Sequence, residues 1–168
     1  KEIYLINKTF YGGSQGQQEF KITKFVVDQQ VADTFTLPSQ LSVIQPIPPG
    51  SASKTRLMKI QGMMDGMSGN MGGNMGSGMH TINGKVYDLN RVDETVNAGA
   101  TEIWEFDNSQ GDEIHPMHIH GVQFQVLSRA GGRNALQPTE KGWKDTVLVM
   151  AREKVQVIMT FPQEQGVF

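Results

Sequence analysis

Three of the four histidines in this chain fall within six positions, in the run His115-Pro116-Met117-His118-Ile119-His120-Gly121. Neutral imidazole is the commonest nitrogen ligand for copper and zinc, and one ring nitrogen can bind while the other is fixed by a hydrogen bond. Spacing sorts the three. In an extended segment His118 and His120 point to one face, whereas His115, an odd number of residues from both, points to the other. A single ion does not easily take all three. Val122, Phe124 and Val126 share the parity of His118 and His120, and Gln123 and Gln125 that of His115. That alternation predicts a strand continuing past the histidines, with His118 and His120 on its apolar side. Pro116 lacks a backbone donor, so the regular ladder is expected to begin only after it.

A second stretch offers softer donors. Residues 62–79 hold six Met and seven Gly, and Met67, Met71, Met75 and Met79 recur at every fourth position. On a helix these thioethers would share a face, but glycine disfavours helix by roughly 1 kcal/mol each relative to alanine. The segment reads either as a low-complexity loop or as a Cu(I) recruitment segment, since thioethers select monovalent copper. His80, next to Met79, could join it or simply be solvated. Cysteine is absent, which excludes disulfides, thiolate catalysis and cysteine-bearing zinc or iron-sulfur sites within these residues.

Positioning these groups calls for strands. Short apolar or alternating runs at Ile3–Ile6, Phe20–Val27, Lys54–Ile60, Thr81–Tyr87, Thr101–Phe106, Val122–Leu127, Thr146–Val149 and Val155–Phe161 are separated by turn-rich pieces. They predict an all-β antiparallel sandwich, with a helix or two crossing the connections. The Pro- and Ser-containing stretch 45–53 reads as a connector. Residues 1–45 hold too few strands for a sandwich of their own and read as the end of a preceding domain; 46–79 read as connector plus Met/Gly-rich insertion, and 80–168 as a further domain. The net charge of −2 and dispersed basic residues disfavour nucleic-acid binding, and no apolar run approaches the ~20 residues of a membrane helix. Lys1 replaces an initiator Met, no targeting pattern is visible, and Gly166-Val167-Phe168 follows a strand-like run, so both ends are expected to be cuts.

Two more blocks accompany the histidines: Ile82-Asn83-Gly84-Lys85-Val86-Tyr87-Asp88 with Glu102-Ile103-Trp104-Glu105-Phe106 before them, and Gly142-Trp143-Lys144-Asp145-Thr146-Val147 after. In this order they closely resemble the last cupredoxin domain of multicopper oxidases, the laccase, bilirubin oxidase and cuprous oxidase family. The resemblance covers residues 80–168 strongly. Residues 1–60, with Leu37-Pro38 and Leu41-Ser42, are more weakly similar to the end of the middle cupredoxin domain. It implies a cupredoxin-like Greek-key β-sandwich, with His115 binding type 1 copper, His118 type 2 copper and His120 one of the type 3 pair. It further implies one-electron oxidation of a small reducing substrate, phenolic or Cu(I), coupled to reduction of O2 to water, in the periplasm or outside the cell. The remaining domains of the same oxidase would be partners. The family's His-Cys-His block would lie beyond Phe168, so this stretch by itself is expected to be inactive. The Met-rich run tilts the substrate toward Cu(I) and a role in copper resistance.

Neighbouring residues divide. Asp145 could orient a ligand histidine or cap a turn. Trp143 reads as core sooner than as part of a substrate or electron route, and Asp112 and Glu113, beside His115, could tune the type 1 site but read sooner as a solvated loop. Competing functions are a non-catalytic copper-binding or storage module, a cupin-type metal enzyme, and a fold relative that has lost its copper ligands. The cupin reading wants a Glu four or five residues after the His pair, where Phe124 and Gln125 stand. Intact His115, His118 and His120 argue against the third.

Overall fold

The structure is a computed structural model that describes residues 1–9, 18–62, 80–164 and 166. Strands dominate: β1 (Glu2–Asn7), β2 (Phe20–Val26), β3 (Lys54–Gln61), β4 (Thr81–Ile82), β5 (Lys85–Val86), β6 (Thr101–Asp107), β7 (His115–His118), β8 (Phe124–Gly131), β9 (Trp143–Lys144), β10 (Thr146–Val149) and β11 (Glu153–Thr160). Among the described residues, in place of the expected connecting helices there are two single 3-10 turns, Pro49–Ser51 and Pro138–Glu140, each opening on a proline whose fixed φ suits a first helical position.

The main layer is a seven-stranded sheet in the order β5-β4-β3-β6-β11-β8-β9. Its centre is apolar because β11 is apolar: Val155, Val157, Ile158 and Met159 are fully buried, and β11 is flanked by β6 and β8, which contribute Phe106, Phe124 and Val126. A two-stranded ribbon of β7 and β10 forms the second layer. In β10 burial alternates, with Val147 and Val149 joining the core cluster while Thr146 and Leu148 stay partly exposed. This is the period-2 signature of a strand with one face on a core. The all-β sandwich expected from the sequence is therefore present.

Four details differ from the sequence reading. The sandwich is not wholly antiparallel, since β3 runs parallel to β6; β3 lies in the range read as connector yet is an interior strand. The run Thr81–Tyr87 is a tight hairpin, not one strand, because Asn83 and Gly84 both take positive φ (53° and 75°). The ladder begins at His115, ahead of Pro116. The Ile119 N–H to Asp145 O bond makes the odd-numbered residues here the hydrogen-bonded ones, so the nitrogen of Pro116 faces away from β10 and no ladder bond is lost. Finally, β7 and β8 are separate strands in separate layers: Gly121 at φ 76° turns the chain between them. The connector itself is docked, as the buried Gln125 side chain accepts from Ile47 N–H and donates to Gln45 O. The described residues of 1–45 are absent from the core cluster; Leu5, Phe25, Phe35 and Leu41 are all more than half exposed.

Candidate metal centre

Register fixes where the histidines point. In β7, His115 lies opposite Val149 and Met117 opposite Val147, both buried valines, whereas His118 lies opposite Thr146. Directly opposed residues share a face. His115 is thus on the core-facing side of the ribbon and partly buried, and His118 is on the outer side and exposed. The sequence reading placed His118 and His120 on the apolar side; the turn at Gly121 overturns this, because parity counted back from β8 does not survive a change of layer.

His118 is held by its Nδ1, 2.7 Å from Asp145 O and 3.2 Å from Thr146 Oγ1. A carbonyl oxygen only accepts, so Nδ1 carries the proton and the neutral ring presents its Nε2 lone pair. The Asp145 contact is made by its main-chain carbonyl; its side chain is exposed. His120 follows in the turn, its ring 5.9 Å from that of His118. Both open on a cleft of about 500 Å³ walled by Trp104, Phe161 and Val122, with Asp93 and Glu94 at its rim. Nitrogen donors side by side at a solvent-accessible cleft, one fixed in tautomer, are of the kind that zinc, copper, iron or nickel accepts.

A separate group forms on the other side of the strand. His80, Glu113 and His115 each offer a ligand atom, all within 4.8 Å of one another. The His80 and His115 rings meet edge to face at 5.4 Å, and His80 Nδ1 is 3.6 Å from Glu113 Oε2. Glu113 is not the solvated loop residue expected, since its side chain is only 13% exposed. The loop carrying it is tied by Asn108, fully buried, whose Nδ2 donates to Glu113 O at 2.8 Å and Met150 O at 2.9 Å. Periodicity could not reveal Glu113 because it precedes the strand. Trp143, expected in the core, is 43% exposed on β9 at the edge of the main sheet. Met67, Met71, Met75 and Met79 lie outside the described residues.

Beneath the ribbon sits a charge network that sequence reading missed. Arg129, with no side-chain exposure, pairs with Glu140 and with Glu153 Oε2 at 2.6 Å, and donates to Leu148 O at 3.1 Å. Arg133 reaches the same Leu148 carbonyl at 2.8 Å, and Glu153 Oε2 accepts from Met150 N–H at 2.9 Å. The network therefore grips the end of β10, against which β7 is registered. Glu140 is pushed up by burial, but its Arg129 and Gln137 hydrogen bonds and the charges of both arginines outweigh that and hold its carboxyl below the usual range.

Comparison with known proteins accords with this geometry. Over 90 residues the chain is 41% identical to a laccase of Haloferax volcanii, covering 53% of this chain and 15% of that protein. Over 81 residues it is 43% identical to the cell division protein FtsP of Photorhabdus laumondii, covering 48% of this chain and 16% of that one. The crystal structure of the McoA multicopper oxidase from Aquifex aeolicus superposes with a TM-score of 0.73 at 28% identity, over 98% of this chain and 34% of that one. The chain thus spans about a sixth of the curated relatives and a third of the structural one. Its all-β sandwich is of the cupredoxin-like type found in those oxidases. Residues 53–168 match the family model described as multicopper oxidase, and the chain belongs to that family.

Proposed function

We propose that this chain forms part of a copper-dependent oxidoreductase in which His115 is a ligand of type 1 copper, His118 of type 2 copper and His120 of the type 3 pair. The observation that carries the reading is the His118 arrangement: an Nδ1 proton committed to Asp145 O, an Nε2 lone pair left for metal, and a second imidazole 5.9 Å away. The donors fit copper, and His115 on the opposite face of β7 serves a different centre from His118. When bound, copper supplies one-electron chemistry that couples oxidation of a small reductant to reduction of O2. The chain's own contribution is positional. β10 holds β7 in register, Asp145 O and Thr146 Oγ1 fix the His118 ring, and Trp104 with Phe161 wall the cleft. This chain has no cysteine, so the thiolate a blue-copper site requires belongs to residues outside it. Residues 1–45 are read as the tail of a preceding domain and an extracytoplasmic location as the setting, both on the family resemblance.

The test is a set of single substitutions in the full-length, copper-loaded protein. His115→Ala is expected to remove the intense blue thiolate absorption. His118→Ala and His120→Ala are expected to keep it while abolishing O2 consumption. Blue absorption that survives His115→Ala would overturn the assignment. A non-catalytic module is the second reading, favoured by three matches being named for cell division and not for an oxidation; as a storage module it requires stoichiometric copper uptake with no O2 consumption in the wild type. Cu(I) as substrate predicts that deleting residues 63–79 lowers Cu(I) oxidation and leaves phenol oxidation intact.

A further inference from the structure

We propose that His80, Glu113 and His115 form a capture site that takes up incoming copper before the type 1 centre is complete, a proposal that rests on His115 being a type 1 ligand. Two imidazoles and a carboxylate are a borderline donor set suited to Cu(II). Their ligand atoms lie within 4.8 Å of one another. A Cu(II) ion with tetragonal bonds of about 2.0 Å holds adjacent donors about 2.8 Å apart, so closure needs movements of about 1 Å from each side, within reach of side-chain rotation.

Independent features point to a cation here. Among the described residues Glu113 Oε2 is a buried carboxylate oxygen that accepts no hydrogen bond, and His80 Nδ1 lies 3.6 Å away. Burying such an oxygen without a donor is costly, and a bound cation removes that cost. Gly62 packs closely on this carboxylate: a Cβ there would come within 2.7 Å of Oε2, so a larger residue would push the Glu113 side chain aside. The approach is open, since the His80 side chain is 52% exposed while Glu113 is 13% exposed, which puts one ligand in solvent and the other inside.

The arrangement suits transit better than residence. Three protein ligands leave a coordination position open, and open sites exchange ligands readily compared with closed four-ligand sites. His115 belongs to both ligand sets. Capture forms bonds from copper to His80, Glu113 and His115 as bound water leaves. Transfer breaks the His80 and Glu113 bonds as the thiolate and the remaining type 1 ligands, from outside this chain, bond in their place. Copper keeps its oxidation state throughout, so no oxidant or reductant is consumed.

The experiment mixes full-length apoprotein carrying His118→Ala and His120→Ala, which silence the other cluster, with one equivalent of Cu(II). Rapid-mixing absorption and freeze-quenched electron paramagnetic resonance follow the result. A weakly coloured, nitrogen- and oxygen-ligated Cu(II) species is expected first and the blue thiolate band second. His80→Ala and Glu113→Gln should remove the early species and slow growth of the blue band by about 10- to 100-fold, the range by which loss of site partners weakens metal binding. The final band intensity and reduction potential should be unchanged, which a merely structural lesion would not allow. Growth at the wild-type rate in both variants overturns the proposal. So does a second copper bound by His80 and Glu113 after the blue site is full, because that makes the group a substrate site occupied together with type 1 copper. A parent protein that never turns blue refutes the type 1 reading itself, and is distinguishable from either result.

Discussion

Arg129→Met is the sharpest test of how the metal strand is held. The substitution keeps much of the side-chain volume but leaves Glu140 (8% exposed) and Glu153 (0%) without the guanidinium that faces both. Breaking a buried ion pair by removing one partner costs about 3 to 5 kcal/mol, chiefly through the uncompensated charge left behind. With m of about 2 kcal/mol per M, that lowers a urea midpoint by about 1.5 to 2.5 M. Thermal melting should fall by about 6 to 20 °C, at about 2 to 4 °C per kcal/mol for a domain of this size. The assay is urea denaturation read by tryptophan fluorescence, with m compared between variants. Arg129→Met/Glu140→Gln/Glu153→Gln should recover about half of the loss, since no buried carboxylate charge remains and Met150 N–H keeps an acceptor, while Arg133 loses its ion pair with Glu153. Acid dependence gives a second check. The native Glu140 carboxyl sits below its usual range, so its contribution is present above the unfolded value of about 4.3 and is lost as pH falls through the lower native value. Arg129→Met should flatten that acid limb. A midpoint shift below about 0.5 M, or a triple variant no better than the single one, would refute the view that this network anchors β10 through charge.

Three further outcomes follow from the same structure. Gly121→Ala places a Cβ at φ 76°, which should cost about 1 to 2 kcal/mol in denaturation and displace His120 in the turn. Phe106→Ala should cost about 3 to 5 kcal/mol because the ring is 2% exposed at the centre of the core, whereas Leu41→Ala, 79% exposed, should fall within about 0.5 kcal/mol; the contrast is read from paired urea curves. Thr146→Val removes one of two acceptors at His118 Nδ1 and should lower copper retention in a chelator competition without altering the fold, since Asp145 O remains at 2.7 Å.

The strands were readable from sequence wherever one face met the core, as in Thr146–Val149 and Val155–Phe161, because alternation and burial there have a common cause. What failed was continuity. The run from His118 to Val126 kept its parity through Gly121, yet a single positive φ moves the chain to another layer, and parity holds no information about that. The ion pairs at Arg129, Glu140 and Glu153 were hidden for a related reason: charged residues read as surface until long-range pairing buries them, and their separations of 11 and 24 residues exceed any local pattern. Glu113 and His80 lie 33 positions apart and meet because His80 immediately precedes β4, paired to β3, while Glu113 is held by Asn108 at the end of β6, whose strand is β3's parallel neighbour.

That convergence bears on how so short a strand keeps its ligands in place. β7 has four residues and one partner, so its own ladder holds it weakly, and short two-stranded pairings are marginal in isolation. Its rigidity has to come from elsewhere, and the contacts show three sources. Val147 and Val149 seat β10 on the main sheet. Arg129 and Arg133 both grip Leu148 O. Asn108 ties the segment before β7, through Glu113 O, to Met150 O just after β10, closing the ribbon at the His115 end. The opposite end carries His118 and is held at Asp145 O, which accepts from Ile119 N–H at 3.4 Å and from His118 Nδ1 at 2.7 Å. Both ends of the ribbon are therefore tied. In the proposed sites, an adjustment of about 1 Å on metal binding falls to the half-exposed side chain of His80 and to His120 beyond the strand, while His115 is held by its pairing with β10.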